Sequence, residues 1–428
     1  MVKGRQENME YLKKASAEGA VNKGQTEQIV KNILSEINQD GDSAVKSYEE
    51  KFSKSERSSF RISDEELESA IENLSDREKK LIDNVVERVS NFAEAQLTCM
   101  KPLDQKFGNG IRMGHNIIPV EKVGTYVPGG RFPLLSSGPM VAAPAKVAGV
   151  KKIIACSPAN YNGSIHPAVL YGLKKSGVSE IYAIGGAQAI GAMAFGTESV
   201  PQVDVISGPG NRFVAEAKRQ VFGKVGIDLI AGPSEVVVFA EEHSDPKLCA
   251  TDLMAQSEHD PNARAILIAT SRVQAMKTME EIDSILRQFD SNSPAHKSWE
   301  KMGEIIIVES LDEGIKACND IAGEHLHLHL DKSNEVADKI QNYGSLFIGE
   351  DSSVVFSDKV SGTNHTLPTK RAGRYTGGLW VGSYVKVATF QEITGDGVQY
   401  LAEHATEQSG IEGLEGHRLS AASRLLDE

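Results

Sequence analysis

The chain has 428 residues, 40% of them hydrophobic, so it exceeds the usual size of a single hydrophobic core and predicts more than one domain. Its formal net charge of −13 excludes a broad electrostatic attraction to nucleic acid or to an anionic membrane surface. A small molecule is therefore the expected partner.

The first 120 residues are predicted to form a helical segment that packs on the core. Ser63 with Glu66 and Ser75 with Glu78 have the spacing of capping boxes. An apolar stripe at helical spacing follows, formed by Leu81, Ile82, Val85, Val86 and Val89. The chain has no apolar run of about 18 residues and its N-terminus does not resemble a signal peptide, so we expect a cytoplasmic protein.

From residue 121 onward, short apolar runs alternate with helical stretches, as is typical of parallel sheets. The runs over 121–230 are VGTYV, KKIIACS, EIYAIGG and VDVISG, and those over 231–389 are EVVVFA, ARAILIATS, EIIIVES, LHLHL and SLFIG. The predicted fold class is α/β, with two tandem, incomplete Rossmann-like domains. Residues 390–428 are expected to form a helical tail that packs on another surface, such as a second subunit.

Three glycine-rich turns, at 127–130, 185–188 and 208–211, end strand-like runs of the first series. Glycine in this place lets the backbone approach phosphate, and a following helix N-terminus favours the negative charge. A dinucleotide fits this pattern. None of the turns is a complete G-x-G-x-x-G, however, and glycine after a strand also makes ordinary tight turns.

The four cysteines lie far apart and without C-x-x-C spacing, which predicts free thiols: Cys99, Cys156, Cys249 and Cys318. Cys156 stands inside an apolar run and is expected to pack in the core. Any bound metal would therefore have nitrogen and oxygen ligands.

Two short segments of the second series offer such ligands. Gln256 and His259 are three residues apart on a predicted helix and would share one face, although a simple polar helix end is the alternative. Glu324 is expected in the turn before a strand, where it and His325 could supply the base and acid that a dehydrogenase needs. The next alternate positions, His327 and His329, are expected to form a solvated stripe.

A polar loop and the tail contain further candidates. The loop has Asp358, Asn364 and His365, and the tail has Glu412 and His417. One nitrogen and oxygen set would suit zinc if the fold brought the tail to the second domain or to a neighbour's site: Gln256, His259, Asp358 and His417. Spacing alone does not show that convergence.

A resemblance to a known family rests on segments that follow one another from about residue 120 to the C-terminus: YVPGG, PAKVAGV, GGAQAI, GPGN, EAKRQV, AGPSEV, QSEHDP, GEHL, SGTNHTLPT and EGLEGH. In these segments the chain resembles the histidinol dehydrogenase family. The resemblance implies one zinc ion per subunit, bound by Gln256, His259, Asp358 and His417. It implies Glu324 and His325 as the acid–base pair, and NAD+ contacts at Tyr126, Gln188 and Asn211.

The resemblance also implies substrate contacts at Ser234, His365 and Glu412, and a homodimer that exchanges its tails. His417 and Glu412 would then complete the partner's site. The implied reaction oxidises a primary alcohol through a bound aldehyde to a carboxylate. In this reaction His325 takes the alcohol proton and Glu324 activates water.

The segment KRAGRYTGGLW, from Lys370 to Trp380, departs from the biosynthetic members and resembles the branch that contains sulfopropanediol dehydrogenase. Lys370 and Arg371 near a substrate loop would repel cationic histidinol and attract a sulfonate. The predicted substrate is therefore a sulfopropanediol-like alcohol, with 2,3-dihydroxypropane-1-sulfonate giving sulfolactate. L-histidinol is the alternative, and both side chains could instead point into solvent. Asp260, where the family commonly has glycine, is a second departure without an interpretation.

Two other classes of function are less well supported. A non-catalytic nucleotide sensor or zinc-binding module would be expected to lose Glu324, His325 or a ligand, and all are present. A cysteine-dependent aldehyde dehydrogenase is disfavoured because no cysteine adjoins the QSEH or GEH motif.

Overall fold

A computed structural model of the chain describes residues 10–16, 23–108, 110–129 and 134–425. Two parallel sheets flanked by helices form most of this part, and a small antiparallel sheet accompanies them. The predicted α/β fold class is confirmed. Gly130, at the end of the first glycine-rich turn, lies outside the described residues.

The N-terminal part is largely helical, as predicted. It contains β1 (Glu10–Lys13), α1 (Lys23–Phe52), α2 (Asp64–Glu72) and α3 (Asp76–Leu97). Ser75 and Glu78 form the complete capping box, whereas the Ser63 hydroxyl only accepts from the Glu66 backbone N–H. In the predicted apolar stripe Ile82, Val85 and Val89 are buried, but Leu81 is exposed.

The prediction that residues 1–120 are helical is wrong in two places. β1 pairs antiparallel with an edge strand of the second parallel sheet. β2 (Leu103–Gly108) and β3 (Ile111–Pro119) form an antiparallel sheet with β14 (Val385–Ile393). The hairpin between β2 and β3 uses Gly108 and Gly110, both at positive φ, and this glycine pair was an available turn signal.

The first parallel sheet has the strand order β6-β5-β4-β7-β8, where the strands are β4 (Lys122–Tyr126), β5 (Lys152–Ser157), β6 (Glu180–Ala183), β7 (Val205–Ser207) and β8 (Gly226–Ile227). Its helices are α4 (Ser137–Val147), α5 (Pro167–Lys175), α6 (Gly186–Phe195) and α7 (Arg212–Val221). Ile153 and Ala155 enter one core and Ile154 and Cys156 the other, so helices cover both faces. The strand order reverses at β4, which places a ligand crevice beyond the carboxyl ends of β4 and β7.

The second parallel sheet repeats this order, with β1 added at one edge: β1-β11-β10-β9-β12-β13. Its further strands are β9 (Glu235–Ala240), β10 (Arg264–Ala269), β11 (Glu304–Ile307), β12 (His325–His329) and β13 (Ser345–Ile348). The helices are α8 (Pro246–Ser257), α9 (Arg272–Leu286), α10 (Pro294–Met302), α11 (Leu311–Ile321), α12 (Ser333–Ala337) and α13 (Val354–Lys359). All the strand runs predicted from the sequence after residue 121 are confirmed, while the domain limits at 121–230 and 231–389 stay predictions.

The C-terminal part consists of two short 3₁₀ turns (Ala372–Arg374 and Val381–Tyr384), β14, α14 (Asp396–Glu412) and α15 (Glu415–Ala422). The predicted tail is helical from residue 396, but its first residues belong to β14. α15 has no buried residue. Among the described residues, no helix combines the length and apolar character needed to cross a bilayer.

Candidate active site

The candidate catalytic and metal-binding residues meet at the amino-terminal edge of the second sheet. Glu324 lies in the turn before β12, as predicted, and His325 is the first residue of that strand. Gln256 and Asp358 lie in the last turns of α8 and α13, which return to this edge. Helix C-termini carry partial negative charge, so this edge favours a cation.

Glu324 and His325 are held by the backbone of Glu235, the first residue of β9. The Glu235 N–H donates to the Glu324 carboxylate at 2.8 Å, and His325 Nδ1 lies 2.9 Å from the Glu235 carbonyl. His325 Nδ1 therefore carries the proton, and Nε2 is left as the acceptor. That Nε2 is buried and has no hydrogen-bond partner among the described residues, so it is free to take a proton.

Burial shifts both groups toward their neutral forms. It raises the pKa of Glu324 well above its usual value, and the neighbouring Glu235 and Asp358 carboxylates add to that rise against a backbone hydrogen bond. Burial lowers the pKa of His325 to about 4, although Asp358 opposes this shift. The neutral imidazole of His325 can accept a proton, whereas Glu324 can do so only when its carboxyl group is ionised.

Two of the predicted metal ligands are in direct contact, and a third group adjoins them. The Gln256 amide lies 3.2 Å from the Asp358 carboxylate, and His365 Nδ1 lies 3.8 Å from the same carboxylate. His259 stands in the exposed turn after α8, not on the helix as predicted, but it is close enough to lower the pKa of His365 after the larger effect of burial. Amide, imidazole and carboxylate ligands at a helix C-terminus suit zinc.

The tail residues do not join this group within one chain. His417 and Glu412 are both exposed, and among the described residues Glu412 accepts a hydrogen bond only from the side chain of Gln408, one turn earlier. No contact connects His417 to the other candidate ligands in the part of the chain that the structure describes. If Gln256, His259 and Asp358 bound a tetrahedral zinc ion, one coordination position would be left for a fourth ligand.

The prediction of a solvated stripe at His327 and His329 is wrong. Both side chains are fully buried and contact one carboxylate oxygen of Asp252, at 3.0 and 3.2 Å. These three residues could also hold a metal ion, apart from the predicted ligands. Strand alternation correctly predicted that they share the face of His325, but no sequence signal indicated that α8 and α13 cover that face.

The candidate NAD+ contacts lie at the carboxyl edge of the first sheet. The Gly186 N–H donates to the Tyr126 hydroxyl at 3.1 Å, and Asn211 caps α7 by accepting from two backbone N–H groups. Gln188 is buried and donates to Glu49, a residue of α1 that the sequence analysis missed. The Glu49 carboxylate also accepts from the Gly185 N–H at 2.9 Å, at the N-terminus of α6. Contact between residues 49 and 185 has no local sequence signal.

The candidate substrate loop lies beside Ser234. Thr369 accepts from the Gly232 N–H, and the Lys370 N–H donates to the Glu235 carboxylate at 3.2 Å. The loop is thus anchored on both sides of Ser234, next to the backbone group that holds Glu324. The unexplained Asp260 caps its own turn, since its carboxylate accepts from the backbone and side chain of Asn262.

An α/β chain with a dinucleotide crevice, a buried acid–base pair and an adjoining set of zinc-type ligands defines an NAD-dependent oxidoreductase that acts on alcohol or aldehyde donors. Comparison with known proteins agrees. The family model described as histidinol dehydrogenase matches residues 16–425. The chain belongs to the histidinol dehydrogenase family, whose members in general depend on NAD and zinc.

Individual relatives differ in the activity that their names state. The chain is 42% identical to a histidinol dehydrogenase of Gluconobacter oxydans over 398 residues, which cover 92% of each protein. It is 38% identical to a sulfopropanediol 3-dehydrogenase of Ruegeria pomeroyi over 419 residues, covering 97% of this chain and 96% of the relative. The crystal structure of a histidinol dehydrogenase from Elizabethkingia anophelis superposes with a TM-score of 0.88 at 34% identity, covering 93% of this chain and 91% of that one.

Proposed function

We propose that this chain performs a two-step, four-electron oxidation of a primary alcohol to a carboxylate, with two NAD+ as oxidants, and that its substrate carries an anionic sulfonate. One zinc ion per subunit, held by Gln256, His259, Asp358 and a fourth ligand, would supply Lewis-acid polarisation of the substrate oxygen. The remaining chemistry is assigned to side chains of the protein.

In the first step His325 Nε2 accepts the proton of the alcohol hydroxyl, while a hydride passes from the carbon that bears this hydroxyl to NAD+. The Glu235 carbonyl, 2.9 Å from Nδ1, supports this proposal because it fixes the tautomer with a bare Nε2. The alcohol becomes an aldehyde, and one NADH forms. Burial keeps His325 neutral, so it is ready to accept a proton.

In the second step Glu324 takes a proton from water as that water adds to the aldehyde carbon. The proton that His325 took in the first step passes to the aldehyde oxygen, which completes the hydrate. The hydrate then gives a hydride to a second NAD+ and its two hydroxyl protons to His325 and solvent, and becomes the carboxylate. A carboxylate whose pKa is raised by burial is a stronger base than an ordinary glutamate once it is ionised. The Glu324 carboxylate lies 3.6 Å from His325 Nδ1, and this proximity supports a role for both side chains at the same substrate carbon.

The observation that carries the sulfonate proposal is the conformation of Lys370 and Arg371. Both have left-handed backbone angles, with φ of 54° and 68°, which costs about 1–3 kcal/mol at each non-glycine residue. The Lys370 side chain runs over the backbone of Gly232, where an added Cβ would lie 3.0 Å from Nζ. Arg371 has a buried Nε without a partner among the described residues. An unpaired buried guanidinium N–H suits an anionic ligand.

L-histidinol is the second candidate, because the relative from Gluconobacter is named histidinol dehydrogenase at 42% identity. For this substrate a nearby carboxylate would be needed to pair with the cation, and Glu412 is the residue available if a tail reaches the site. Lys370 and Arg371 would then lie away from the substrate.

The proposed assembly is a cytoplasmic homodimer in which each tail completes the other subunit's site with His417 and Glu412. Its support is the apolar surface of the tail: Ile411 is 83% exposed and Leu419 is 55% exposed. Apolar side chains of this size on a short arm are typical of a surface that packs against another subunit.

The substrate proposal is tested by steady-state kinetics of the zinc-loaded enzyme and of a Lys370→Ala/Arg371→Ala variant. With 2,3-dihydroxypropane-1-sulfonate, kcat/KM should fall at least about tenfold, since a hydrogen bond to a charged group is worth about 1.5–3 kcal/mol. Arg287→Ala, which removes an exposed arginine at the end of α9, is the control and should change nothing. Wild-type turnover of L-histidinol alone would overturn the sulfonate proposal.

A further inference from the structure

A buried polar network lies one layer below the candidate metal ligands, on the same face of β12. Its centre is the Asp252 carboxylate, one oxygen of which contacts His327 Nδ1 and His329 Nε2. The other oxygen accepts from the Ser353 hydroxyl at 2.7 Å. Cys249 Sγ lies 3.5 Å from His329 Nδ1 and extends the network by one more residue.

This network joins the three elements that present the site. Asp252 precedes Gln256 by one helical turn and therefore shares its face of α8. Ser353 is the N-cap of α13, which carries Asp358. His327 is two residues beyond His325 on β12. The Asp252 carboxylate, on the same helix as Gln256, is thus hydrogen-bonded to α13, which carries Asp358, and to β12, which carries His325.

The protons in the network are mutually consistent without a cation. His327 Nδ1–H and His329 Nε2–H donate to Asp252, and His329 Nδ1 can accept from the Cys249 thiol. Burial alone would raise the pKa of Asp252, but the hydrogen bonds from the two histidines outweigh it and hold that pKa well below its usual range. The carboxylate is therefore charged and fully bonded, as expected of a group that fixes structure.

We propose that Asp252 is a positioning residue that sets the geometry of the metal site by tying α8, α13 and β12 together. The inference rests on the proposed zinc chemistry at Gln256 and Asp358. Groups that orient metal ligands typically change metal affinity about 10–100-fold when they are substituted. The alternative is that Asp252, His327 and His329 bind a second metal ion. This alternative predicts two metal ions per subunit instead of one.

The test uses the full-length protein loaded with cobalt(II) alone, so that no substrate is involved. Asp252→Asn should shift the visible absorption bands of bound cobalt and release the metal to a chelator about 10–100-fold faster. The matched control is Asp228→Asn, which breaks the buried Lys218–Asp228 ion pair beside the first sheet. It should lower thermal stability while leaving the cobalt bands and the release rate unchanged.

Ser353→Ala, which removes only one hydrogen bond, should shift the bands in the same direction by less and provides the test if Asp252→Asn does not fold. Unchanged bands and release rates in the variant that folds would overturn the positioning role. Two cobalt ions per wild-type subunit, one of them lost in Asp252→Asn, would show the second metal site instead. A wild-type protein that bound no cobalt would overturn the proposed metal chemistry and this inference with it.

Discussion

The two parallel sheets share one strand order but present their candidate site residues at opposite edges. The first presents its glycine turns, Tyr126 and Asn211 at the carboxyl ends of β4, β6 and β7. The second presents Glu324 and His325 before the amino end of β12. Helix N-termini meet the first edge and helix C-termini meet the second, so their partial charges are opposite. An anionic dinucleotide suits the first edge, and a metal cation suits the second.

The polar groups of the two edges differ as well. At the first edge Tyr126, Gln188 and Asn211 already have partners within the chain, which gives a shaped and rigid surface. At the second edge His325 Nε2 and Arg371 Nε are buried without partners in the described part of the chain. General rules for ligand sites in α/β sheets predict where a cofactor edge lies, whereas candidate reacting groups have to be found residue by residue.

The largest effect is expected from Glu324→Gln, which keeps the hydrogen bond from the Glu235 N–H but removes the base. kcat for complete oxidation should fall by about 10²–10⁴-fold. In the wild type the rate should rise with pH through the raised pKa of Glu324, because only its ionised form accepts a proton. Stopped-flow measurement of NADH across pH should show this rise in the wild type and not in the variant.

Cobalt binding is the control for that variant, since Glu324 is not a proposed ligand, and it should equal that of the wild type. A normal kcat and a normal pH profile in the Glu324→Gln variant would contradict the proposal that the reaction takes place at the second edge.

The next effect concerns the fourth ligand of the second edge. His417→Ala and His325→Asn should each be nearly inactive alone. If tails are exchanged, mixed dimers contain one intact site, and a statistical mixture should recover about a quarter of wild-type activity. The measurement is activity after unfolding and refolding the two variants together. If the refolded mixture were no more active than each variant alone, His417 would act in the site of its own subunit or in no site.

A smaller effect is expected at the first edge from Tyr126→Phe. This variant removes the acceptor of the half-buried Gly186 N–H, and a typical hydrogen bond is worth about 0.5–1.5 kcal/mol. KM for NAD+ should rise by about tenfold for each 1.4 kcal/mol that the cofactor loses, with the cobalt bands unchanged. If Tyr126→Phe changed the cobalt bands and left KM for NAD+ unaltered, the assignment of NAD+ to the first edge and of the metal to the second would be wrong.

The smallest effect is expected from Cys156→Ala. Burial raises the pKa of this thiol, which packs in the core of the first sheet. The variant should lose about 1 kcal/mol of unfolding free energy and keep its kcat. Loss of turnover with folding and zinc content intact would favour a cysteine nucleophile.

The sequence predicted the strands well because buried parallel strands are continuous apolar runs, such as EVVVFA at β9. It did not predict β1, whose pairing with β11 joins residues nearly 300 positions apart. The position of Glu324 before its strand was predicted from the cost of burying a charge. The proposed role of Asp252 and the burial of His327 could not be predicted from the sequence, because both depend on how α8 and α13 pack over β12.

We propose a four-electron oxidation at the second edge, with NAD+ bound at the first. The most direct test is the NADH yield per substrate molecule when zinc-loaded enzyme receives a limiting amount of 2,3-dihydroxypropane-1-sulfonate, with L-histidinol in parallel. We predict two NADH per sulfonate molecule and none from histidinol. One NADH per molecule would contradict the two-step mechanism, and two from histidinol alone would keep the mechanism but contradict the proposed substrate.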